Sequence, residues 1–436
     1  MARGRRYIIR TRSTNRNKDD DNDEKDKEYE DMRKKKRKII DGYDSDELDY
    51  YKKQKKSIKN KIFAIENELY NFSNKNDEIP LRFKILLSNN TIQNKKIILD
   101  KFKEMQEDTD NNSKLINYVN ILTSIPFGIY HKINYDNENR TITDYLNNVK
   151  KEFDTKIYGH TDTKEQILRI LAQFISNPNA NGYVIGIHGS MGVGKTKLIK
   201  DGIAKVLNFP FAFIPLGGIN DSSYLRGFSY TYQGSRHGKI LEEIIKAKVM
   251  NPIFFFDELD KVSTTDHGVE IINTLIHMTD STQNSSYTDK FFENIELDLS
   301  KSLMFFTFNH IEEINPILRD RMIIIKANSY SLNDKIKLSR DYLIKDIAKS
   351  YNFNDNDIII DDNNIEYLIN KTTIEDGVRN LQRNINNIYS YINLHKYIKI
   401  NDELISFPFT ITKDFIDKYI IMKRDNEKMN YLSLYL

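Results

Sequence analysis

Four short apolar runs constrain the fold of this chain more than any other feature: "GYVIGIHG" (182–189), "FAFIPL" (211–216), "PIFFF" (252–256) and "SLMFFTF" (302–308). Branched and aromatic residues fill consecutive positions in each run, not alternate ones. A strand covered on both faces reads this way. Between the runs the spacing is helical, as at Ile272, Leu275, Ile276 and Thr279. Buried strands alternating with helices predict an α/β core, a parallel sheet sandwiched by helices, over 151–328. On either side, apolar residues recur only three and four apart. Ile62, Ile65, Leu69 and Phe72, then Leu115, Tyr118, Val119 and Leu122 with Pro126 as a stop, predict a helical region over 59–150. Ile167, Ile170, Leu171 and Phe174 predict one helix more. Val378, Leu381, Ile385, Ile388 and Ile392 predict an all-helical lid over 329–425, before a tail at 426–436.

The first apolar run opens into "GSMGVGKT" (189–196), which fits G-x-x-x-x-G-K-[ST] between a strand and a helix. Such a loop wraps phosphates with the backbone N–H groups of Gly189, Ser190, Met191, Gly192, Val193 and Gly194, aided by the positive end of the helix. Lys195 reaches the β and γ phosphates, and the Thr196 hydroxyl can ligate Mg²⁺. Alone, the motif could be no more than a Gly-rich turn. The third run removes that reading, because "IFFFDELD" (253–260) ends a buried strand in two adjacent carboxylates. Asp257 would hold Mg²⁺ through water, and Glu258 would polarise an attacking water. Asn309 ends the fourth run, where a polar side chain can position that water. In "NPILRDRM" (315–322), Arg319 and Arg321 suit either a surface salt bridge or the γ-phosphate of a neighbouring subunit. Arg379, in "EDGVRNLQR" (375–383), starts the lid helix and could touch the γ-phosphate from above. ATP and Mg²⁺ are the expected ligands.

These residues in this order resemble the AAA+ ATPases, and more narrowly the ATPase module of the Lon proteases. The narrower likeness rests on "LGGINDSSYLRGFSYTYQG", "FFFDELDKV", "LRDRMIII" and "TTIEDGVRNLQRNI", and upstream on "LINYVNILTSIPFGIY" (115–130) and "KIYGHTDTKEQIL" (156–168). "FTITKDFIDKYI" (409–420) is similar to the strand and helix that precede the Lon protease domain. The resemblance implies that Ile157 and Tyr158 border adenine. It also implies that Tyr232, Gln233 and Gly234 form a loop in the pore of a hexameric ring, which grips unfolded polypeptide. Two departures stand out. Gln233 replaces an apolar residue after the loop tyrosine, and Ser190 and Met191 replace two prolines, which should relax the phosphate loop. The chain stops at Leu436, where a Lon protease domain would begin, so no Ser-Lys peptidase site is expected here and a separate protease is a candidate partner.

Composition narrows the remaining readings. Net charge is +3, too small to draw the whole chain onto nucleic acid or a membrane. There is no cysteine, which excludes thiol catalysis and Cys-ligated zinc, and the eight histidines show no metal spacing. No apolar run approaches the roughly 20 residues of a membrane span, and no secretory signal is visible. An intracellular, cytoplasmic protein is expected. Residues 1–58 are blocks of charge, expected to be disordered. Their "RKKKRK" (33–38) fits a solvated tail, a nuclear address or a nucleic-acid contact, and the acid-free first 16 residues fit a mitochondrial presequence. Three functional readings follow. The first is a ring-forming homo-oligomeric ATPase that unfolds or translocates polypeptide. The second is a nucleic-acid loader or remodeller that uses the basic tail. The third, a scaffold that binds ATP without hydrolysis, is disfavoured because every motif residue is present.

Overall fold

The computed structural model describes residues 43–73, 80–107, 112–132, 142–177, 181–219, 221–230, 232, 234–292, 295–354, 356–372, 374–398 and 405–418. The chain divides into two compact units, one ending at Leu87 and one running from Ser88.

The first unit holds helices α1 (Ser45–Lys53), α2 (Lys56–Ser73) and α3 (Leu81–Leu87). Helix α1 corrects the expectation of a disordered tail as far as residue 58. Its start is a capping box: the Asp44 carboxylate accepts the Glu47 N–H at 2.8 Å, and the Glu47 carboxylate accepts the Asp44 N–H at 3.0 Å. Two otherwise unpaired donors are satisfied locally, so a charged stretch still forms a helix. "RKKKRK" and the rest of 1–42 lie outside the described residues.

The second unit opens with α4 (Ile92–Glu107) and α5 (Asn112–Ser124), which pack as a hairpin. Tyr118, Val119 and Leu122 of α5 are buried, as their spacing predicts. After Pro126 the chain lies along the core. The Met250 N–H donates to the Ile129 carbonyl at 2.8 Å, and Asn251 bonds both the N–H and the carbonyl of His131. Helices α6 (Ile142–Lys156) and α7 (Thr161–Ser176) follow.

Next come β1 (Val184–His188), α8 (Lys195–Lys197) with its π-helical continuation Leu198–Ala204, β2 (Phe211–Pro215), α9 (Ser223–Arg226), α10 (Lys239–Ala247) and β3 (Ile253–Asp257). They are followed by α11 (Asp266–Thr279), the short pair β4 (Tyr287–Thr288) and β5 (Glu296–Leu297), β6 (Leu303–Phe308), α12 (Pro316–Asp320) and β7 (Ile323–Lys326). The main sheet is parallel, in the order β2-β3-β6-β1-β7. All four apolar runs are strands in it. The residues of β6 are all buried, and in β3 only Asp257 is not, which is why neither run alternates with polar residues. Strand β7 was not expected; four residues directly after a helical turn are too few to show a period. In register, Phe256 faces Phe306 and Val184 faces Met304, so strands far apart in sequence end at one edge.

The lid contains α13 (Leu332–Leu338) with a π-helical turn Ser339–Leu343, α14 (Ile344–Ser350), β8 (Ile358–Ile359), α15 (Asp362–Lys371), α16 (Arg379–Tyr397) and β9 (Phe409–Thr410), which pairs with β8. The stripe Val378, Leu381, Ile385, Ile388 and Ile392 forms one side of a separate core cluster. The fold is thus the α/β P-loop arrangement of an AAA+ core with upstream helices and a lid that is helical except for the β8–β9 pair, two residues per strand being too short to show in an all-helical reading.

Candidate active site

In a parallel sheet the carboxyl ends of the strands share an edge, and ligands gather there. Here that edge collects the loop after β1, the carboxylates after β3 and Asn309 after β6. Together with α6, the start of α7 and the lid, they enclose a cleft of about 530 Å³. Ile157, Tyr158, Met191, Gly192, Gly194, Lys195, Thr196, Asp257, Glu258, Asn309 and Arg379 all line it. Val193 is buried beneath the loop.

The phosphate loop is shaped by backbone demands. Gly192 and Gly194 have φ of +80° and +89°, a region that side chains disfavour. Gly189 leaves no room for a methyl against the Ala327 carbonyl. Lys195 points back along the loop, donating to the carbonyls of Gly189 at 2.5 Å and Ser190 at 3.0 Å and to Asn309 Oδ1 at 2.8 Å. Burial holds its ammonium below the usual lysine range, against the opposing pull of Asp260 and Asp257.

The carboxylates are held differently. Asp257 is tied to the Thr307 hydroxyl on β6, and its other oxygen lies 3.4 Å from the Thr196 hydroxyl. A hydroxyl and a carboxylate side by side are oxygen donors that suit Mg²⁺, which keeps waters and phosphate oxygens as its other ligands. Glu258 sits at φ +59°, ψ +50°, a left-handed conformation that costs about 1–2 kcal/mol outside glycine. Its carboxylate is exposed and makes no hydrogen bond or ion pair with another described residue. It rests against Gly217, where a methyl group would overlap it.

On the lid side of the cleft, Tyr158 donates to Asp334 at 2.8 Å. The Tyr158 ring lies 6.5 Å from Tyr330 and 6.3 Å from Tyr342. His160 Nε2 is 2.9 Å from the Val193 carbonyl and 3.0 Å from the Tyr330 hydroxyl, so one histidine joins phosphate loop and lid. Burial lowers its pKa from the usual histidine value.

The lid meets the phosphate loop directly. The Val378 N–H donates to the Gly192 carbonyl at 3.2 Å, and Gly377 faces Gly192 too closely for any side chain. Ser190 donates to Asp376 at 2.6 Å. The serine that should relax this loop instead fastens it to the lid, because its hydroxyl finds a carboxylate that no proline could bond. Arg379 enters the cleft, and its guanidinium pairs with no other described residue.

Arg321 stands elsewhere. It donates to the Ile276 carbonyl at 2.7 Å and pairs with Asp280 at 2.9 Å, outside the cleft. Arg319 is exposed. Tyr232 is 67% exposed, beside Gly234 at φ +77°, while Gln233 lies outside the described residues. His188 is half-buried, bonded to the Asn309 carbonyl at 3.0 Å.

Thr307, Gly217, His160, Tyr330, Tyr342 and Asp376 escaped the sequence reading. Thr307 alone carried a signal, a hydroxyl inside an otherwise apolar buried strand. Among the described residues, no helix is long and apolar enough to cross a membrane.

Residues 185–329 match the family described as "ATPase family associated with various cellular activities (AAA)". The chain is 37% identical over 348 residues to the Lon protease homolog of Acanthamoeba polyphaga mimivirus, covering 78% of this chain and 34% of that one. It is 33% identical over 351 residues to the Lon protease of Cytophaga hutchinsonii, covering 80% and 41%. It is 35% identical over 288 residues to the mitochondrial Lon protease homolog of Candida albicans, covering 65% and 25%. The chain therefore spans only a quarter to two fifths of the length of these curated relatives.

Proposed function

We propose, from the premise that this chain carries a Lon-type AAA+ ATPase module, that it hydrolyses ATP to unfold or translocate polypeptide. The observation that carries the reading is the convergence of Lys195, Thr196, Asp257, Glu258, Asn309 and Arg379 on one cleft. Bound Mg²⁺–ATP supplies the phosphoryl bond to be broken. Loop amides between Gly189 and Thr196 and the Lys195 ammonium take the phosphates, and Lys195 leaves its carbonyl partners to do so. Thr196 and Asp257 would hold the metal, with the Thr307 hydroxyl bonded to Asp257. Glu258, unpaired and exposed, orients a water, and Asn309 stands beside it. Arg379 brings positive charge from the lid. Tyr158, Tyr330 and Tyr342 offer an aromatic wall to the base, beside Ile157.

Arg321 lies outside its own cleft, so a phosphate it touches belongs to another copy. A ring of identical subunits, six by resemblance, satisfies this. The exposed Tyr232 then lies on a loop that can grip polypeptide by shape. ATP hydrolysis and polypeptide movement are the activities proposed for residues of this chain.

Steady-state ATP turnover with and without unfolded casein, and with DNA in parallel, tests this. Casein should stimulate turnover, and Tyr232→Ala should remove the stimulation. Stimulation by DNA alone would replace polypeptide with nucleic acid as the substrate. Glu258→Gln should bind ATP and lose turnover on the order of 10²–10⁴-fold. Normal hydrolysis by that variant would overturn the assigned chemistry.

A further inference from the structure

The two tyrosines of "SYTYQG" part ways in the structure. Tyr232 is exposed, whereas Tyr230 turns inward onto the α4–α5 hairpin. The Tyr230 ring lies 5.1 Å from that of Tyr118 on α5, which is itself only 4% exposed. Lys101 on α4 donates to the Tyr230 hydroxyl at 3.2 Å, with its ammonium 5.3 Å from the ring centre. Tyr118 in turn packs on Phe291 and Phe292, at 5.7 and 4.6 Å between ring centres. Tyr230 is thus seated at the edge of an aromatic cluster built from three separate parts of the chain.

The described remainder of the loop is closed by hydrogen bonds. The Phe228 N–H donates to the Arg236 carbonyl at 3.0 Å, Ser235 Oγ donates to the Tyr230 carbonyl at 3.2 Å, and the Gly238 N–H donates to buried Asp289 at 2.8 Å. Gly227 and Gly234 both have positive φ, and nothing lies within 4 Å of where a Gly234 side chain would be. Tyr230 seats the loop on another element through its ring and hydroxyl.

We propose that Tyr230 is a positioning residue, by which helices α4 and α5 set where the Tyr232 loop stands. The proposal rests on the reading that Tyr232 grips polypeptide, and it adds how that grip is held. The upstream helices are then part of the substrate device: a displacement of α5 at Tyr118 carries Tyr230, and Tyr232 two residues on. An aromatic pair with a cation above it restricts a loop enough to change its open population by about 2- to 10-fold.

The test uses the full chain with ADP bound. Amide hydrogen exchange over 228–236 should quicken by about 2- to 10-fold in Tyr230→Ala and much less in Tyr230→Phe, which keeps the ring. Tyr118→Leu should quicken the same amides, and the double variant should add nothing to Tyr230→Ala. In the casein assay, Tyr230→Ala should raise the KM for casein by a similar factor with kcat held. Unchanged exchange in Tyr230→Ala overturns the anchor whatever casein does. Faster exchange with an unchanged casein KM overturns its part in substrate grip. Glu258→Gln, run in parallel, reports on the ATPase reading separately, and an unstimulated wild type counts against the polypeptide reading while exchange still decides the anchor.

Discussion

The carboxyl edge of the sheet and the Tyr232 loop are built on opposite plans. At the sheet edge, each reactive side chain ends a buried strand or starts a helix, and each backbone is held by neighbours on both sides. Asp257 continues a strand whose other four residues are fully buried, and β6 beside it is buried throughout. Among its described residues the loop has a few backbone hydrogen bonds of its own, an anchor at Tyr230 and an exposed Tyr232. The difference teaches where tolerance lies. Chemistry that depends on placing a carboxylate within a fraction of an ångström needs strands, whereas a grip that must accept many side chains needs freedom at its tip.

If this contrast holds, the sheet edge should be brittle. Gly217→Ala would put a methyl where the Glu258 carboxylate rests. The carboxylate is the far end of a flexible side chain, so it can move and the fold should survive. Turnover should fall by about 10²-fold while ATP affinity stays near wild type, measured by single-turnover kinetics and nucleotide titration. A variant with normal kcat would show that the Glu258 position is loosely specified, and the contrast would fail on its rigid side.

A second test probes the base of the loop. Asp289 accepts the N–H groups of Gly238 and Phe291, both at 2.8 Å, and burial pushes its pKa up to about 7. The folded state therefore binds this proton more tightly than the unfolded chain, where aspartate titrates at about 3.9. The stability this confers is present below that value and lost as pH rises through about 7. Asp289→Asn should flatten the fall in urea midpoint between pH 5 and 7.5. An unaltered slope would remove Asp289 as its source.

The smallest effect is expected where phosphate loop and lid touch. The Ser190–Asp376 bond is exposed, and its coupling should be about 0.5–1 kcal/mol. Denaturant midpoints of Ser190→Ala, Asp376→Ala and the double variant measure it. Strict additivity would make the contact incidental, and the loop would then be as free as its missing prolines suggested.

Much of this was legible beforehand. The four runs, the phosphate loop and the lid stripe each encode their structure in neighbouring residues, through a period or a backbone requirement. Strand β7 has no sequence signal because four residues cannot establish a period, and helix α1 is hidden by the charge of its segment although Asp44 and Glu47 cap it. The aromatic wall at Tyr330 and Tyr342 had no local signature, since a tyrosine on a helix or beside one looks the same whether it faces a cleft or water.

By itself, then, the sequence determined four of the five strands of the main sheet, which loop can cradle phosphates and which carboxylates follow β3. Only the tertiary structure decided that Thr307 holds Asp257 from 50 positions away, that Lys101 meets Tyr230 across 129, and that Ser190 meets Asp376 across 186. Periodicity and turn chemistry act over a few residues, where sequence order and spatial order coincide. Partners separated by whole elements are chosen by sheet register and helix packing, which belong to the chain as a whole.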